Sequence, residues 1–163
     1  MKQLLVLSGK GGTGKTTIAS ALIKISEAKA FADCDIDAPN LHLVLKQRNE
    51  PIRKDYFGLP KAEINQDICR KCGLCMRKCR FDSINLINGQ YLIDYYACEG
   101  CGVCEYVCPV GAIKLNPAKA GDIELYKDDL VFSTAKLKMG SGTSGLLVSE
   151  VNKQLKENAK ETE

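Results

Sequence analysis

Apolar and polar positions follow two different periods along the chain, and each period predicts a different kind of element. Residues 4–7 are all apolar and predict a short buried strand, and residues 30–32 predict a second one. Between them, apolar residues recur at helical spacing, at Ile18, Ala21, Leu22 and Ile25. Strand, glycine-rich turn, helix and strand in this order predict the beginning of an α/β fold.

The pattern changes near residue 49 and returns to α/β after residue 117. Two prolines, a glycine and several charges predict a linker over residues 49–60. Short strands are predicted at 123–126 and 130–132, and the polar tail at 156–163 is expected to fray. A helix is predicted from the i, i+4, i+8 spacing of Leu147, Val151 and Leu155.

An internal duplication with a period of 29 residues occupies the middle of the chain. Ile64 matches Ile93, and Ile84 matches Ile113, so each half predicts a strand, a loop and a second strand. The two loops carry eight cysteines with the same offset: Cys69, Cys72, Cys75 and Cys79, then Cys98, Cys101, Cys104 and Cys108. We therefore expect an inserted unit at 61–117 between two parts of another domain, at 1–60 and 118–163.

Composition narrows the possible functions. The 163 residues leave room for about two modest folding units. A net charge of +3 is too small to indicate nucleic-acid binding, and no apolar run reaches the roughly 18 residues of a membrane span. We find no secretory signal and expect a cytoplasmic protein. Nine cysteines in that compartment indicate metal binding or redox chemistry rather than disulfides.

The glycine-rich turn fits the phosphate-binding motif G-x-x-x-x-G-K-[ST] between a predicted strand and a predicted helix. In this motif backbone N–H groups surround the phosphates of ATP or ADP, Lys15 would reach the β- and γ-phosphates, and Thr16 would ligate Mg²⁺. The predicted nucleotide-binding residues are Gly9, Lys10, Gly11, Gly12, Thr13, Gly14, Lys15, Thr16 and Thr17. The alternative is a glycine-rich turn that binds no ligand.

The repeated spacing C-x₂-C-x₂-C-x₃-C is that of a bacterial-type ferredoxin with two 4Fe-4S clusters, in which each fourth cysteine ligates the other cluster. Arg80 stands where the first motif would have a proline. The alternative is two structural zinc sites, although these usually pair separated C-x₂-C knuckles. Cys34 lies outside the motif as a partly buried residue or a redox thiol. The expected cluster ligands are Cys69, Cys72, Cys75 and Cys108, and Cys98, Cys101, Cys104 and Cys79.

The two cysteine loops differ in charge. The segment from Cys69 to Arg80, both included, contains five basic residues and no acidic residue, whereas the second loop contains Glu99 and Glu105 and no base. Positive charge favours the reduced, more negative form of a cluster, so we expect the first cluster to have the higher potential. The same charges predict docking of an acidic redox partner, and the alternative is a merely solvated basic face.

Lys10 follows the first glycine of the phosphate motif, and the resulting K-G-G-T-G-K-T resembles the deviant Walker A motif of the MinD/ParA superfamily of P-loop ATPases. Asp33-Cys34-Asp35 resembles the D-x-D segment of that family. The resemblance implies that Lys10 reaches the partner's nucleotide in an ATP-sandwich homodimer, and that Lys10, Lys15 and Asp35 are catalytic, with Asp35 orienting a water. Asp33 and Asp37 are alternatively turn or cap residues.

The whole pattern resembles MinD-superfamily ATPases that contain an inserted ferredoxin domain. The resemblance implies an α/β fold with part of a P-loop parallel sheet and an inserted α+β dicluster ferredoxin domain. Because no apolar run ending in Asp-x-x-Gly follows Glu150, we expect the ATPase part to be truncated before its Walker B region. The expected function is nucleotide binding or hydrolysis coupled to electron transfer. The alternatives are a plain ferredoxin-type carrier with a non-catalytic P-loop and an iron-sulfur assembly scaffold.

Overall fold

A computed structural model describes residues 3–45 and 49–159 of the chain. The backbone forms two compact units. The elements in chain order are α1 (Lys15–Ile25), β1 (Ala30–Asp33), α2 (Leu41–Val44), β2 (Ile52–Phe57), β3 (Lys61–Ile64), α3 (Leu74–Lys78), β4 (Ile84–Ile87), β5 (Gln90–Ile93), α4 (Val103–Tyr106), β6 (Ile113–Asn116), β7 (Lys119–Lys127), β8 (Val131–Leu137) and α5 (Ser144–Ala159).

The first unit extends to Lys54 and includes residues 122–136 and the chain from Gly145 onward. Its core forms where β1 pairs with β8 in parallel, with Phe31 opposite Phe132. The two rings stack with centroids 5.0 Å apart. Helix α5 contributes Leu147 and Val151, which are completely buried. The predicted strands near 31, 124 and 131 and the predicted C-terminal helix are therefore confirmed, and β7 and β8 are longer than expected.

The strand predicted at residues 4–7 is wrong, because this segment makes no ladder with the described residues. Leu4, Leu5 and Leu7 are each more than 70% exposed. Helix α1 forms as predicted, but Ile25 on its apolar face is also 81% exposed. The hydrogen-bonded order β1, β8, β7, β2 does not include this segment, although β1 and β2 each keep one edge unpaired among the described residues, so the apolar pattern alone does not decide whether a segment pairs.

The linker predicted at 49–60 instead contains β2, which forms the end of the four-stranded order. Prolines and charges are tolerated there because an edge strand has one unpaired side that faces water. Fraying of the tail is wrong for residues 156–159, which continue α5 and bury Ala159. The rest of the predicted tail, 160–163, lies outside the described residues.

The second unit comprises residues 55–121 and 137–144 and contains the duplicated cysteine loops. The first strand of each half pairs with the last strand of the other half, so β3 pairs with β6 and β5 pairs with β4, both antiparallel. Ile84 and Ile113 occupy equivalent buried positions. The predicted repeat of strand, loop and strand is thus confirmed. Within residues 3–45 and 49–159, no helix is long and apolar enough to cross a membrane.

Candidate functional site: two cysteine-lined cavities and a glycine-rich loop

Two cavities in the second unit bring all eight motif cysteines together. Three cysteines of each lining come from one loop, and the fourth comes from the other half of the repeat. The first cavity is lined by Cys69, Cys72, Cys75 and Cys108, and the second by Cys98, Cys101, Cys104 and Cys79.

The backbone around the cavities repeats closely between the two halves. The N–H of Asn65 donates to the carbonyl of Ala112 at 2.7 Å, and 29 residues later Asp94 donates to Ser83 at the same distance. Each cysteine loop begins its short helix after a glycine with positive φ, Gly73 before α3 and Gly102 before α4. The two halves therefore present their cysteines on equivalent backbones.

The thiols differ in their polar contacts. The pKa of Cys75 is raised chiefly by burial, and the same cause raises the pKa of Cys104. Burial also opposes ionisation of Cys79, but the Ser83 hydroxyl, 3.2 Å from its sulfur, and backbone N–H groups lower its pKa overall. Four cysteine thiols are the donor set that a 4Fe-4S cluster requires.

Charged side chains also approach the cavities, and one was missed from the sequence. Arg70 lines the first cavity, and Glu99 lines the second. Lys61, in β3, donates to the carbonyl of Cys98 and lies over the ring of Tyr95, 5.3 Å from its centroid. The second loop is therefore less acidic in its surroundings than its own sequence indicates, because a cation reaches it from a distant part of the chain.

The ligands of a single metal ion would have to converge on one point. In the part of the chain that the structure describes, no group of three Cys, His, Asp or Glu side chains does so. The cysteines instead surround the two cavities.

The glycine-rich loop of the first unit has the backbone freedom that a phosphate cradle needs. Gly12 and Gly14 have positive φ, and a Cβ on Gly9 or Gly11 would meet no atom within 4 Å. Gly14 precedes α1, whose first residue is Lys15. The loop is therefore open on the side where an anion would meet the N-terminus of an 11-residue helix.

The predicted side chains of this site lie close together. The Lys15 ammonium is 3.6 Å from the Asp35 carboxylate. The Thr16 hydroxyl donates to the Asn40 side chain at 2.9 Å. Thr17 is exposed, and Lys10 is exposed beside the loop, where its carbonyl accepts a hydrogen bond from Thr13.

Asp33 acts as a local cap in this arrangement. Its carboxylate accepts hydrogen bonds from the backbone N–H groups of Asp35, Asn40 and Leu41 at 3.0–3.1 Å. These bonds fix the turn between β1 and α2, so Asp33 positions Asp35 and Asn40. The cap role of Asp33 is one of the alternatives predicted from the sequence, whereas no role was predicted for Asn40.

The comparison with protein families decides the nature of the cysteine unit. Residues 62–115 match the 4Fe-4S dicluster domain family. These residues form a 4Fe-4S dicluster domain. Iron-sulfur clusters are therefore favoured over the alternative of two zinc sites, and the chemistry of the dicluster domain is that of a ferredoxin-like electron carrier.

Three relatives match different shares of this chain. An uncharacterised protein of Methanocaldococcus jannaschii is 34% identical over 94% of this chain and 55% of its own length. An uncharacterised ATP-binding protein of the same organism is 38% identical over 40% of this chain and 26% of its own length. A pyruvate synthase subunit of Methanothermobacter marburgensis is 37% identical over 36% of this chain and 69% of its own length. The chain thus spans about half the length of the relative that matches nearly all of it.

Proposed function

We propose that this chain is an ATP-binding iron-sulfur protein in which nucleotide at residues 9–17 modulates electron transfer through two 4Fe-4S clusters. The observation that carries the proposal is the presence, in one chain, of a dicluster domain and of a glycine loop with Lys15, Thr16 and Asp35 gathered beside it. Neither feature alone requires the other.

The cysteine-lined cavities support the cluster half of the proposal. Cys69, Cys72, Cys75 and Cys108 would hold one cluster, and Cys98, Cys101, Cys104 and Cys79 the other. When bound, each 4Fe-4S cluster would serve as a one-electron carrier. The protein's contribution is to hold the four thiolates of each set and to tie the two halves of the repeat together, because each set takes its fourth thiolate from the other half.

The glycine loop supports the nucleotide half. ATP phosphates would lie against the backbone N–H groups of residues 9–14 and the Lys15 ammonium, releasing Lys15 from Asp35. Thr16 would exchange its hydrogen bond with Asn40 for Mg²⁺. Lys10, exposed at the rim of the loop, would then reach the nucleotide of a second copy in a homodimer. Asp35, freed from Lys15, would orient a water near the γ-phosphate.

Two of the relatives match this combination in part. One is named an ATP-binding protein, and another is named a pyruvate synthase subunit. We infer that this chain also exchanges electrons with a protein partner.

The test is anaerobic reconstitution of the full chain, followed by iron counting and ATP titration. We expect about eight iron atoms per chain and ATP binding that Lys15→Ala weakens by about tenfold or more, because a charge-assisted contact is lost. Lys24→Ala is the matched control, since Lys24 lies in the last turn of the same helix. Zinc in place of iron, or ATP binding unchanged by Lys15→Ala, would contradict the corresponding half.

The first cysteine loop offers the surface for an acidic partner. All five of its basic side chains are exposed; the exposed Met76 lies among them in the sequence, and the exposed Phe81 directly follows Arg80. Exposed positive residues next to exposed apolar side chains suit a transient electron-transfer contact with an acidic protein. The basic residues are Arg70, Lys71, Arg77, Lys78 and Arg80.

Charge reversal tests this surface. Lys78→Glu with Arg80→Glu should slow reduction by an acidic flavodoxin about tenfold at low salt, and rising salt should remove the difference. Lys114→Glu, at an exposed position on β6, is the control. Equal rates for the double variant and the control would contradict the proposed docking surface.

A second candidate is a ferredoxin-type electron carrier whose glycine loop has no catalytic role. It is favoured by the family match, which covers only residues 62–115. Electron transfer that proceeds identically with and without ATP would favour this candidate.

A further inference from the structure

Each half of the duplicated unit contributes one cysteine to the cavity of the other half, Cys79 from the first half and Cys108 from the second, and we call these the crossing cysteines. Ser83 makes the surroundings of their two sulfurs unequal. Its hydroxyl lies 3.2 Å from the sulfur of Cys79, and only 3% of the residue is exposed. Ser83 also lines the cavity of Cys98, Cys101 and Cys104. The hydroxyl is thus enclosed at the cavity wall beside a sulfur.

The equivalent position 29 residues later is Ala112, which has no hydroxyl. The backbones around the two positions correspond, because the carbonyls of Ser83 and Ala112 accept equivalent hydrogen bonds at the same distance. Ala112 still donates its backbone N–H to the sulfur of Cys108 at 3.2 Å. The difference between the two crossing cysteines is therefore one side-chain hydrogen bond on matched backbones.

We propose that Ser83 is a positioning residue that raises the reduction potential of the cluster ligated by Cys79, relative to the potential that the same cluster would have without the hydroxyl. This inference rests on the proposed cluster ligands. A thiolate bound to iron carries no proton, so the Ser83 O–H is the donor and the sulfur is the acceptor.

The physical reason is the added negative charge of the reduced state. When one electron enters the cluster, electron density on the cysteine sulfur increases, and a hydrogen bond to that sulfur becomes stronger. Ser83 keeps its proton throughout, and no bond is made or broken. Because the reduced state gains more than the oxidised state, the potential rises.

This hydrogen bond acts against the charge difference between the loops. Arg70 lines the cavity of the first cluster and favours its reduction, whereas Glu99 lines that of the second and opposes it. Ser83 offsets part of the disadvantage of the second cluster. The Ser83 hydrogen bond therefore brings the reduction potentials of the two clusters closer together, which suits electron transfer from one cluster to the other in either direction.

The test uses two reciprocal variants of the full chain, reconstituted anaerobically and followed by redox titration with EPR detection. Ser83→Ala should shift one of the two midpoint potentials to a more negative value and leave the other unchanged. Ala112→Ser should shift the other potential to a more positive value. A Ser83→Ala variant that moves neither potential, or both equally, would overturn the inference, as would two variants that move the same potential.

A second measurement distinguishes a hydrogen bond from Ser83 that tunes the cluster potential from a merely structural role of Ser83. The Fe–S(Cys) stretching bands of wild-type protein should change on exchange from H₂O to D₂O, and Ser83→Ala should remove part of that sensitivity. If Ser83→Ala fails to retain eight irons, Ala112→Ser alone decides, because it adds the bond instead of removing it. Wild-type protein that binds no iron would contradict the proposed function itself. Eight irons with unmoved potentials would contradict only the role of Ser83.

Discussion

At the scale of single residues, Cys34 shows how three neighbouring groups set the reactivity of one thiol. Its residue is exposed overall, but its sulfur is partly shielded from water, and this shielding raises the pKa of the thiol. The negative charge of Asp33 raises the pKa further, and a hydrogen bond with Asn152 lowers it. Because the thiolate is the nucleophile, we expect slow alkylation of Cys34. The rate should rise only at a pH above about 8.5, the ordinary pKa of a cysteine thiol.

Asn152→Ala removes the one contribution that lowers the pKa of Cys34. The pKa should rise, the thiolate fraction at pH 8 should fall, and alkylation by iodoacetamide, followed by mass spectrometry on reconstituted protein, should become slower. Asn158→Ala is the control, since both asparagine side chains donate to the helix backbone four residues earlier, whereas only Asn152 contributes to the pKa shift of Cys34. Unchanged or faster alkylation of Asn152→Ala would contradict the assignment.

Single residues also mark the limit of what the sequence predicts at the site. The cysteine spacing predicted three cysteines of each cavity lining, because ligand spacing is a local property, and the cross-ligation typical of the motif predicted the fourth. Lys61 and Asn40 were missed, since their contacts depend on folding that brings distant segments together. Ser83 did have a signal in the sequence, the mismatch with Ala112 in an otherwise regular repeat, but its meaning required the distance to Cys79.

At the scale of elements, Gly100 controls how closely the second cysteine loop approaches the segment before β3. Its φ is +62°, and a Cβ there would lie 2.1 Å from the carbonyl oxygen of Pro60. Gly89, in the turn between β4 and β5, also has positive φ, but a Cβ there would meet no atom within 4 Å. A side chain at Gly89 would therefore add backbone strain alone, whereas a side chain at Gly100 would add both backbone strain and a steric clash.

Gly100→Ala should displace the second loop and reduce the iron content to fewer than eight atoms per chain. Gly89→Ala should retain eight irons and lose about 1–2 kcal/mol of stability, the cost of a left-handed conformation with a Cβ. Iron analysis and thermal unfolding of both variants measure the difference. If Gly100→Ala keeps eight irons and is as stable as Gly89→Ala, the close approach does not control the loop.

The elements that the sequence predicted well are those defined by local periodicity or by the repeat. Helices α1 and α5 and the four strands of the duplicated unit fall into this class. Residues 4–7 and strand β2 were predicted wrongly in opposite directions, because neither apolar composition nor prolines and charges alone decide whether a segment pairs. The apolar run stays outside the described sheet, while the charged segment with flanking prolines becomes an edge strand.

At the scale of the whole molecule, the proposed function requires that nucleotide binding changes the reduction potential of a cluster, and that reduction changes the affinity for nucleotide. Strand β8 leads from its pairing with β1, which ends at Asp33, into residues 138–144. Along that segment, positions Gly140 and Gly142 lie against Tyr96 and Glu99, close to the second cysteine loop. Under the proposed function, a rearrangement at Asp33 and Asp35 on nucleotide binding would act through this continuous stretch of chain.

Such coupling is reciprocal, because a nucleotide that binds the reduced protein more tightly must raise its potential by the same free energy. A typical coupling of about 1–3 kcal/mol corresponds to roughly 40–130 mV for a one-electron carrier. The size of the effect is therefore within reach of a redox titration.

The most direct test is an EPR-monitored redox titration of the reconstituted full chain with and without saturating Mg-ATP. We predict that ATP shifts at least one cluster potential in the wild type and in Lys24→Ala, and shifts neither in Lys15→Ala. Wild-type protein that holds eight irons and bound ATP, yet has the same two potentials as the nucleotide-free protein, would contradict the coupling of nucleotide to electron transfer.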